Sequence, residues 1–230
     1  MIEIIPSINE LDFAAVAAKV RMVERLVPWV HIDVSDGVFT KHVSWHDPQD
    51  MVGFETPAKV EVHLMIDQPE KEIDAWCTKE VDRIIFHQEA TRAHEVVIQK
   101  IRNAKKEVGV AIRPDTPWIK LFPFFERVDM LQLLAVHPGP SGQVFQEDIL
   151  HKLEHIRRLH KKCIIEIDGG IHQDIARRCA GYGANRLVVG NAIFGCPDIK
   201  KAIADLRQAV EEKNQQGFLK KFLSIFRYCV

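Results

Sequence analysis

The sequence predicts an α/β protein folded as one (β/α)8 barrel, on three observations. Eight short apolar, β-branched runs recur along the chain. Amphipathic segments, with apolar residues three and four positions apart, separate most of them. The chain has 230 residues and is 47% hydrophobic, close to the roughly 250 residues that such a barrel needs. Alternating strand and helix patterns favour a parallel sheet covered by helices. A doubly wound open sheet rarely needs eight strands, and no GxGxxG follows the first run.

The first run, EIIPSI near residue 3, is followed by LDFAAVAAKVRMVERL, whose spacing predicts a helix. The second, WVHIDV near residue 29, leads into GVFTKHVSWHDPQDMVGFETP, a long loop with room for at most a short helix. KVEVHLM near 59 and DRIIFHQ near 82 predict the third and fourth strands, and EVVIQKIRNAKKE predicts the helix after the fourth. VGVAIRP near 108, MLQLLAV near 130, CIIEID near 163 and NRLVVG near 185 complete the set. A barrel domain over residues 1–213 is therefore expected. Beyond NQQG, residues 214–230 form an amphipathic extension: Phe218, Leu219, Phe222, Leu223, Ile225 and Phe226 share a helical stripe, flanked by Lys220, Lys221 and Arg227. That stripe is expected to dock on the barrel or on a second copy in a homo-oligomer. Attachment to a membrane surface is the lesser alternative.

A formal net charge of -1, with both signs mixed along the chain, gives no footprint for nucleic acid. Five cysteines, Cys77, Cys163, Cys179, Cys196 and Cys229, are widely spaced without a CxxC pair, so neither a disulfide framework nor a cysteine zinc site is expected, and a reducing cytoplasm fits. MIEIIPSI is no signal peptide, and no apolar stretch reaches the about 18 residues of a spanning helix. A soluble protein is expected.

In such a barrel, functional groups sit at the C-terminal ends of the strands. That rule selects Ser7, His31 with Asp33, His63, His87 with Glu89, Arg113, His137, Asp168, and Gly190 with Asn191. His87 and Glu89 read as a structural hydrogen-bonded pair. His31 and Asp33 are two apart and face the barrel interior together, where His63 and Asp168 join them. Two imidazoles and two carboxylates there must be paired or hold a cation. The donors suit one divalent ion, zinc, ferrous iron or manganese, and a mutually paired His/Asp network is the alternative. Asp36, beside Gly37, reads as shaping the turn that leaves the second strand. Glycines follow strands six, seven and eight: Gly139 and Gly142 around Ser141, then Gly169 and Gly170, then Gly190. Such turns either bring backbone N–H groups to a phosphate or merely satisfy left-handed bends.

In IIPSI, HIDVSDG, HLMIDQP, the TP of RPDTP, VHPGPSGQ, EIDGG and GNAIFGCPD, in this order and spacing to about residue 210, the sequence resembles the ribulose-phosphate 3-epimerase family. The resemblance implies a barrel of the ribulose-phosphate-binding type and a metal-dependent isomerase of the pentose phosphate pathway. His31, Asp33, His63 and Asp168 would bind the metal, and Asp33 and Asp168 would also be the acid/base residues. Ser7, His63 and Met65 would contact the sugar. Gly139, Ser141, Gly142, Gly169, Gly170, Gly190 and Asn191 would surround its phosphate. The implied reaction is epimerisation at carbon 3 of a ketose phosphate, D-ribulose 5-phosphate to D-xylulose 5-phosphate, through an enediolate that the metal stabilises. A 3-epimerase of another sugar, such as a hexulose 6-phosphate, and a catalytically divergent sugar-phosphate-binding barrel are the alternatives. The chain departs from the family pattern at Ser35 and Leu134, where methionines are usual, at His137, Pro140 and Ser141 of the loop that usually reads NPGFGGQ, and at Arg113 in place of asparagine.

Overall fold

The structure, a computed structural model, describes residues 2–211; the expected extension over residues 214–230 and Cys229 lie outside them. Eight parallel strands close into a barrel in chain order: β1 (Glu3–Ile8), β2 (Trp29–Ser35), β3 (Lys59–Met65), β4 (Arg83–His87), β5 (Glu107–Ile112), β6 (Met130–Leu134), β7 (Ile164–Asp168) and β8 (Arg186–Val189). Each of the eight apolar runs is one strand. The helices are α1 (Phe13–Val23), α2 (Ile73–Trp76), α3 (His94–Asn103), α4 (Asp148–Leu159), α5 (Gln173–Tyr182) and α6 (Asn191–Phe194), with a further helix across residues 199–211. Between β2 and β3 the long loop holds only a 3-10 turn, Pro48–Met51. Among the described residues no helix is long and apolar enough to cross a membrane.

Local chemistry sets these boundaries. Asp12 caps α1 by accepting the backbone N–H of Ala15 at 2.9 Å, and the helix buries Val16, Val20 and Val23 on one face. Gly183, at φ 100°, ends α5 in the left-handed region that favours glycine. Asp36 binds the turn after β2: one oxygen accepts the N–H groups of Val38 and Phe39 and the other that of Asp67.

Strand alternation divides the molecule into two chemistries. Val30, Ile32 and Val34 of β2, Val60, Val62 and Leu64 of β3, and Ile165 and Ile167 of β7 point outward into the main apolar layer under the helices. Each such side chain contributes about 1.5–3 kcal/mol on burial. The inward positions of the same strands carry Trp29, His31, Asp33, Glu61, His63, Glu166 and Asp168. Apolar packing inside the barrel is confined to two patches, Ile85 with Ala111, Met130 and Leu134, and Ile5 with Trp29 and Val188. The rest of the barrel interior is a column of ionisable groups.

Candidate active site

Register assembles the upper end of that column. Asp33 on β2 lies opposite His63 on β3, Ser7 on β1 opposite His31, and Asp168 ends β7 beside Val188 of β8. One ligand atom from each of His31, Asp33, His63 and Asp168 lies within 4.8 Å of all the others. His63 Nδ1 is 3.1 Å from Asp33 Oδ1 and 3.6 Å from Asp168 Oδ2. His31 Nε2 is 3.4 Å from Asp33 Oδ1 and 4.0 Å from Asp168 Oδ2, and it is buried without a hydrogen-bond partner. Ser7 Oγ donates to the other oxygen of Asp33 at 2.7 Å.

The electrostatics separate the two acids. Burial by itself would raise the pKa of Asp33, but hydrogen bonds and charge from His31 and His63 outweigh it and hold the carboxyl far below the usual range. Asp168 gains no such bonds; burial and then the charge of Asp33 push it up to about 7. Burial holds His63 down at about 4. For His31 burial works the same way, yet Asp33 and Glu61 overcome it and raise the pKa well above 6.5. An orphaned imidazole nitrogen facing two carboxylates, one of them resisting ionisation, is a donor set that fits a divalent cation.

A second acidic group lies directly below. His31, Glu61 and Glu166 also bring ligand atoms within 4.8 Å of one another, but here the protein supplies the counter-charge. Arg83 is fully buried, pairs with Glu61 and Glu107, and rests on the Trp29 ring at 3.8 Å. Glu166, a hydrogen-bond acceptor for Gln132, is pushed up to about 8 by burial and by the charge of Glu61. In this lower group Glu61 is paired with Arg83 and His31, while Glu166 Oε2 and Gln132 Oε1 are buried without a hydrogen-bond partner. The expected alternatives, a cation site or a mutually paired His/Asp network, concern the upper group alone.

Above the acids opens a cavity of about 400 Å³. Ser7, Asp33, Met65, Gly139, Ser141, Gly142, Asp168, Gly169, Gly170, Gly190 and Asn191 all line it. His31 and His63 are fully buried and are not among the lining residues; His63 lies level with Asp33 on the neighbouring strand. Ser35 is also absent from the wall. It is fully buried and its hydroxyl points at Met65 Sδ, 3.9 Å away, so the serine that stands in place of a methionine lies beside Met65 on the neighbouring strand. Leu134 does line the wall.

The loop after β6 is tied to its neighbours. Asn9 Nδ2 donates to the Gly139 carbonyl at 3.2 Å and Thr40 Oγ1 to the Pro138 carbonyl at 2.8 Å. Glycine is required by the fold at Gly170, where φ is +67° and a Cβ would lie 2.6 Å from the Phe145 backbone nitrogen. Gly190 is different. Its φ of -95° is outside the left-handed region, though with a ψ of -87° it is neither helical nor extended, and a Cβ there would meet nothing nearer than 3.6 Å.

Sequence reasoning missed Glu61 and Arg83, which sit two and four residues before the strand-end histidines His63 and His87 and therefore share their face. That spacing was the available signal. It also missed Asn9 and His172, both lining the cavity, each a polar residue just beyond a strand end. Arg113 does not reach the cavity; its guanidinium lies over the Phe39 ring at 4.0 Å and donates to the Phe39 carbonyl at 2.8 Å.

Comparison with known proteins agrees with this geometry. A model of the Ribulose-phosphate 3 epimerase family matches residues 3–194, which include every strand. The chain is 34% identical to a ribulose-phosphate 3-epimerase of Bacillus subtilis, over 90% of this chain and 99% of that one. It is 32% identical to the Schizosaccharomyces pombe enzyme of the same name, over 90% and 93%, and to a cytoplasmic isoform from Oryza sativa, over 91% and 94%. Among solved structures, a 3-hexulose-6-phosphate synthase from Salmonella typhimurium has a TM-score of 0.68 at 17% identity, over 92% of this chain and 100% of that one. KGPDC from Streptococcus mutans has a TM-score of 0.69 at 11% identity, over 92% and 98%. These two likenesses carry the barrel fold alone. A family match across all eight strands, and relatives above 30% identity along nine-tenths of the chain, lead to one assignment: the chain belongs to the ribulose-phosphate 3-epimerase family, a family of isomerases.

Proposed function

We propose that this protein epimerises carbon 3 of a ketose phosphate, interconverting D-ribulose 5-phosphate and D-xylulose 5-phosphate. The observation that carries the reading is the pair Asp33 and Asp168, both lining the cavity, with one carboxyl held ionised and the other pushed up to about 7. Environments that drive two carboxyls apart in pKa suit one to accept and the other to deliver a proton near neutral pH. Inversion at a carbon beside a carbonyl needs both. Asp33 removes the proton at carbon 3 from one face, leaving a planar enediolate, and Asp168 returns a proton to the opposite face. In the reverse direction the two exchange roles. Ser7, donating to Asp33 Oδ2, fixes the orientation of that carboxylate.

His31, Asp33, His63 and Asp168 are the residues that would hold a divalent metal. Bound there, it supplies Lewis-acid stabilisation for the negative oxygens of the enediolate. The phosphate end belongs beside Gly190, Gly170 and Gly142. No lysine or arginine is among the described residues lining the cavity, so backbone N–H groups and neutral side-chain donors would carry most of that recognition. Gly190 supports this assignment, because no protein atom would lie nearer than 3.6 Å to a Cβ there, which leaves its backbone open to a ligand. The buried position of Ser35 supports a five-carbon substrate, because the cavity wall there is still formed by Met65.

The test is exchange at carbon 3, followed by NMR in deuterated water with D-ribulose 5-phosphate and the metal-reconstituted protein. Deuterium incorporation with formation of D-xylulose 5-phosphate is expected, and Asp33→Asn and Asp168→Asn should each abolish the epimer. Incorporation that survives either substitution undiminished would refute the two-acid assignment.

A further inference from the structure

His63 points one ring nitrogen at the acids and the other away from them, into a chain of contacts that the reaction does not use. Its Nε2 is 2.9 Å from Nε2 of His87. The other nitrogen of His87, Nδ1, is 3.2 Å from Oε2 of Glu89. The remaining oxygen of Glu89 accepts the backbone N–H of Arg113 at 2.8 Å and the hydroxyl of Thr116. His63 and His87 are fully buried and their rings stack at 5.0 Å.

Nδ1 of His63 also lies 3.1 Å from Asp33 Oδ1, so without a cation Asp33 and Glu89 compete to set the tautomers of the two rings. With a cation against Asp33, hydrogen-bond logic leaves one arrangement for this chain when both rings are neutral. A carboxylate only accepts, so Nδ1 of His87 carries a proton. Nε2 of His87 then has only a lone pair, and Nε2 of His63 must donate to it. Nδ1 of His63 is consequently bare, aimed at the point shared with Asp33 and Asp168. We propose that Glu89, acting through His87, is a positioning residue that locks His63 in the tautomer whose Nδ1 lone pair faces the metal position. This rests on the metal site proposed above.

Glu89 is itself held in place from three sides, by Nδ1 of His87, the hydroxyl of Thr116 and the backbone N–H of Arg113. Glu61 contacts His31 in the corresponding way, at 2.8 Å from Nδ1, with the Nε2 of His31 left toward the acids. Carboxylates behind ligating histidines fix ring orientation and tautomer generally; here one of the two carboxylates acts at a distance of one imidazole.

Glu89→Gln tests the relay with nearly the same shape. Its amide oxygen can still accept from Arg113 and Thr116, but its NH2 group now faces Nδ1 of His87. His87 then turns donor at Nε2, and the proton on His63 moves to Nδ1. Zinc and manganese affinity, measured by chelator competition on the purified chain, should fall about 10- to 100-fold. The melting temperature of the metal-stripped variant should stay within a few degrees of wild type, which separates positioning from a loss of folding. Equal affinity in the two proteins overturns the relay. Nitrogen-15 NMR of the histidine rings in the zinc-loaded wild type provides a reading independent of the variant's folding. A proton on Nε2 of His63 and on Nδ1 of His87 is expected, and a bare Nε2 on His63 overturns the proposal. Wild-type protein that binds neither metal would remove the metal site and the relay together, whereas tight binding with the opposite tautomers would remove the relay alone.

Discussion

Two clusters of ionisable side chains lie one above the other in this barrel, and they are compensated in different ways. The lower cluster, Glu61, Glu107 and Glu166, contains its own counter-charge in Arg83, which is fully buried between carboxylates and the Trp29 ring. The upper cluster, His31, Asp33, His63 and Asp168, has no lysine or arginine against it, opens to the cavity through its two acids, and leaves a ring nitrogen without a partner. Burial forces every charge to be matched. Arg83 supplies that match in the lower cluster, and the donor set of the upper cluster is one that could hold a metal ion.

Arg83 offers the largest way to break that contrast. Arg83→Met leaves Glu61 without its partner in a closed interior, and a loss of about 3–5 kcal/mol in unfolding free energy is expected, read by urea denaturation. The upper cluster should behave inversely. Zinc or manganese at about a hundredfold excess over its dissociation constant should stabilise the wild type by about 2.7 kcal/mol, and Asp33→Asn should lose most of that gain in a thermal melt. A smaller effect separates the glycines. Gly170→Ala should cost at least about 1–2 kcal/mol, because an alanine must hold a left-handed angle against the Phe145 backbone. Gly190→Ala, with no protein atom nearer than 3.6 Å to the new Cβ, should cost less stability than Gly170→Ala while raising the KM for D-ribulose 5-phosphate several-fold.

A further effect is a pH dependence located in the lower cluster. Glu166 has its pKa raised from 4.5 to about 8 in the folded protein, so the folded state keeps a proton that the unfolded chain releases. Its contribution is fully present below pH 4.5 and is lost as the pH rises toward 8. Asp168 acts in the same direction, from 3.8 to about 7, whereas the lowered values of His63 and His87 oppose the trend below their ordinary 6.5. Metal-stripped protein should therefore melt at lower temperature as pH rises from about 6.5 to 8. Glu166→Gln should flatten the decline, and metal should cancel the part due to Asp168. A decline unchanged by Glu166→Gln would show that the lower cluster does not titrate as described.

Much of this was legible in the chain. Alternation at period two marks strands, and eight β-branched runs separated by helical patterns leave the barrel as the consistent solution. The pair His31 and Asp33 was readable because two positions along a strand return to the same face. The lower network followed the same rule, Glu61 before His63 and Arg83 before His87, but a strand-end search does not look in mid-strand. The terminal stripe of residues 214–230 lies outside the described residues.

The sequence by itself determined the periodicity, hence the elements, hence the barrel, and with the barrel the set of side chains that face inward. It also displayed the motifs of the family. What only the tertiary structure decided is which of those inward groups meet. Register between neighbouring strands placed Arg83 against Glu61 but no lysine or arginine of the described residues against Asp33 and Asp168, set Ser35 beside Met65, and brought His87 to His63. Spacing along one strand fixes a face, whereas pairing of charges depends on distances between strands, and those exist only once the sheet has closed.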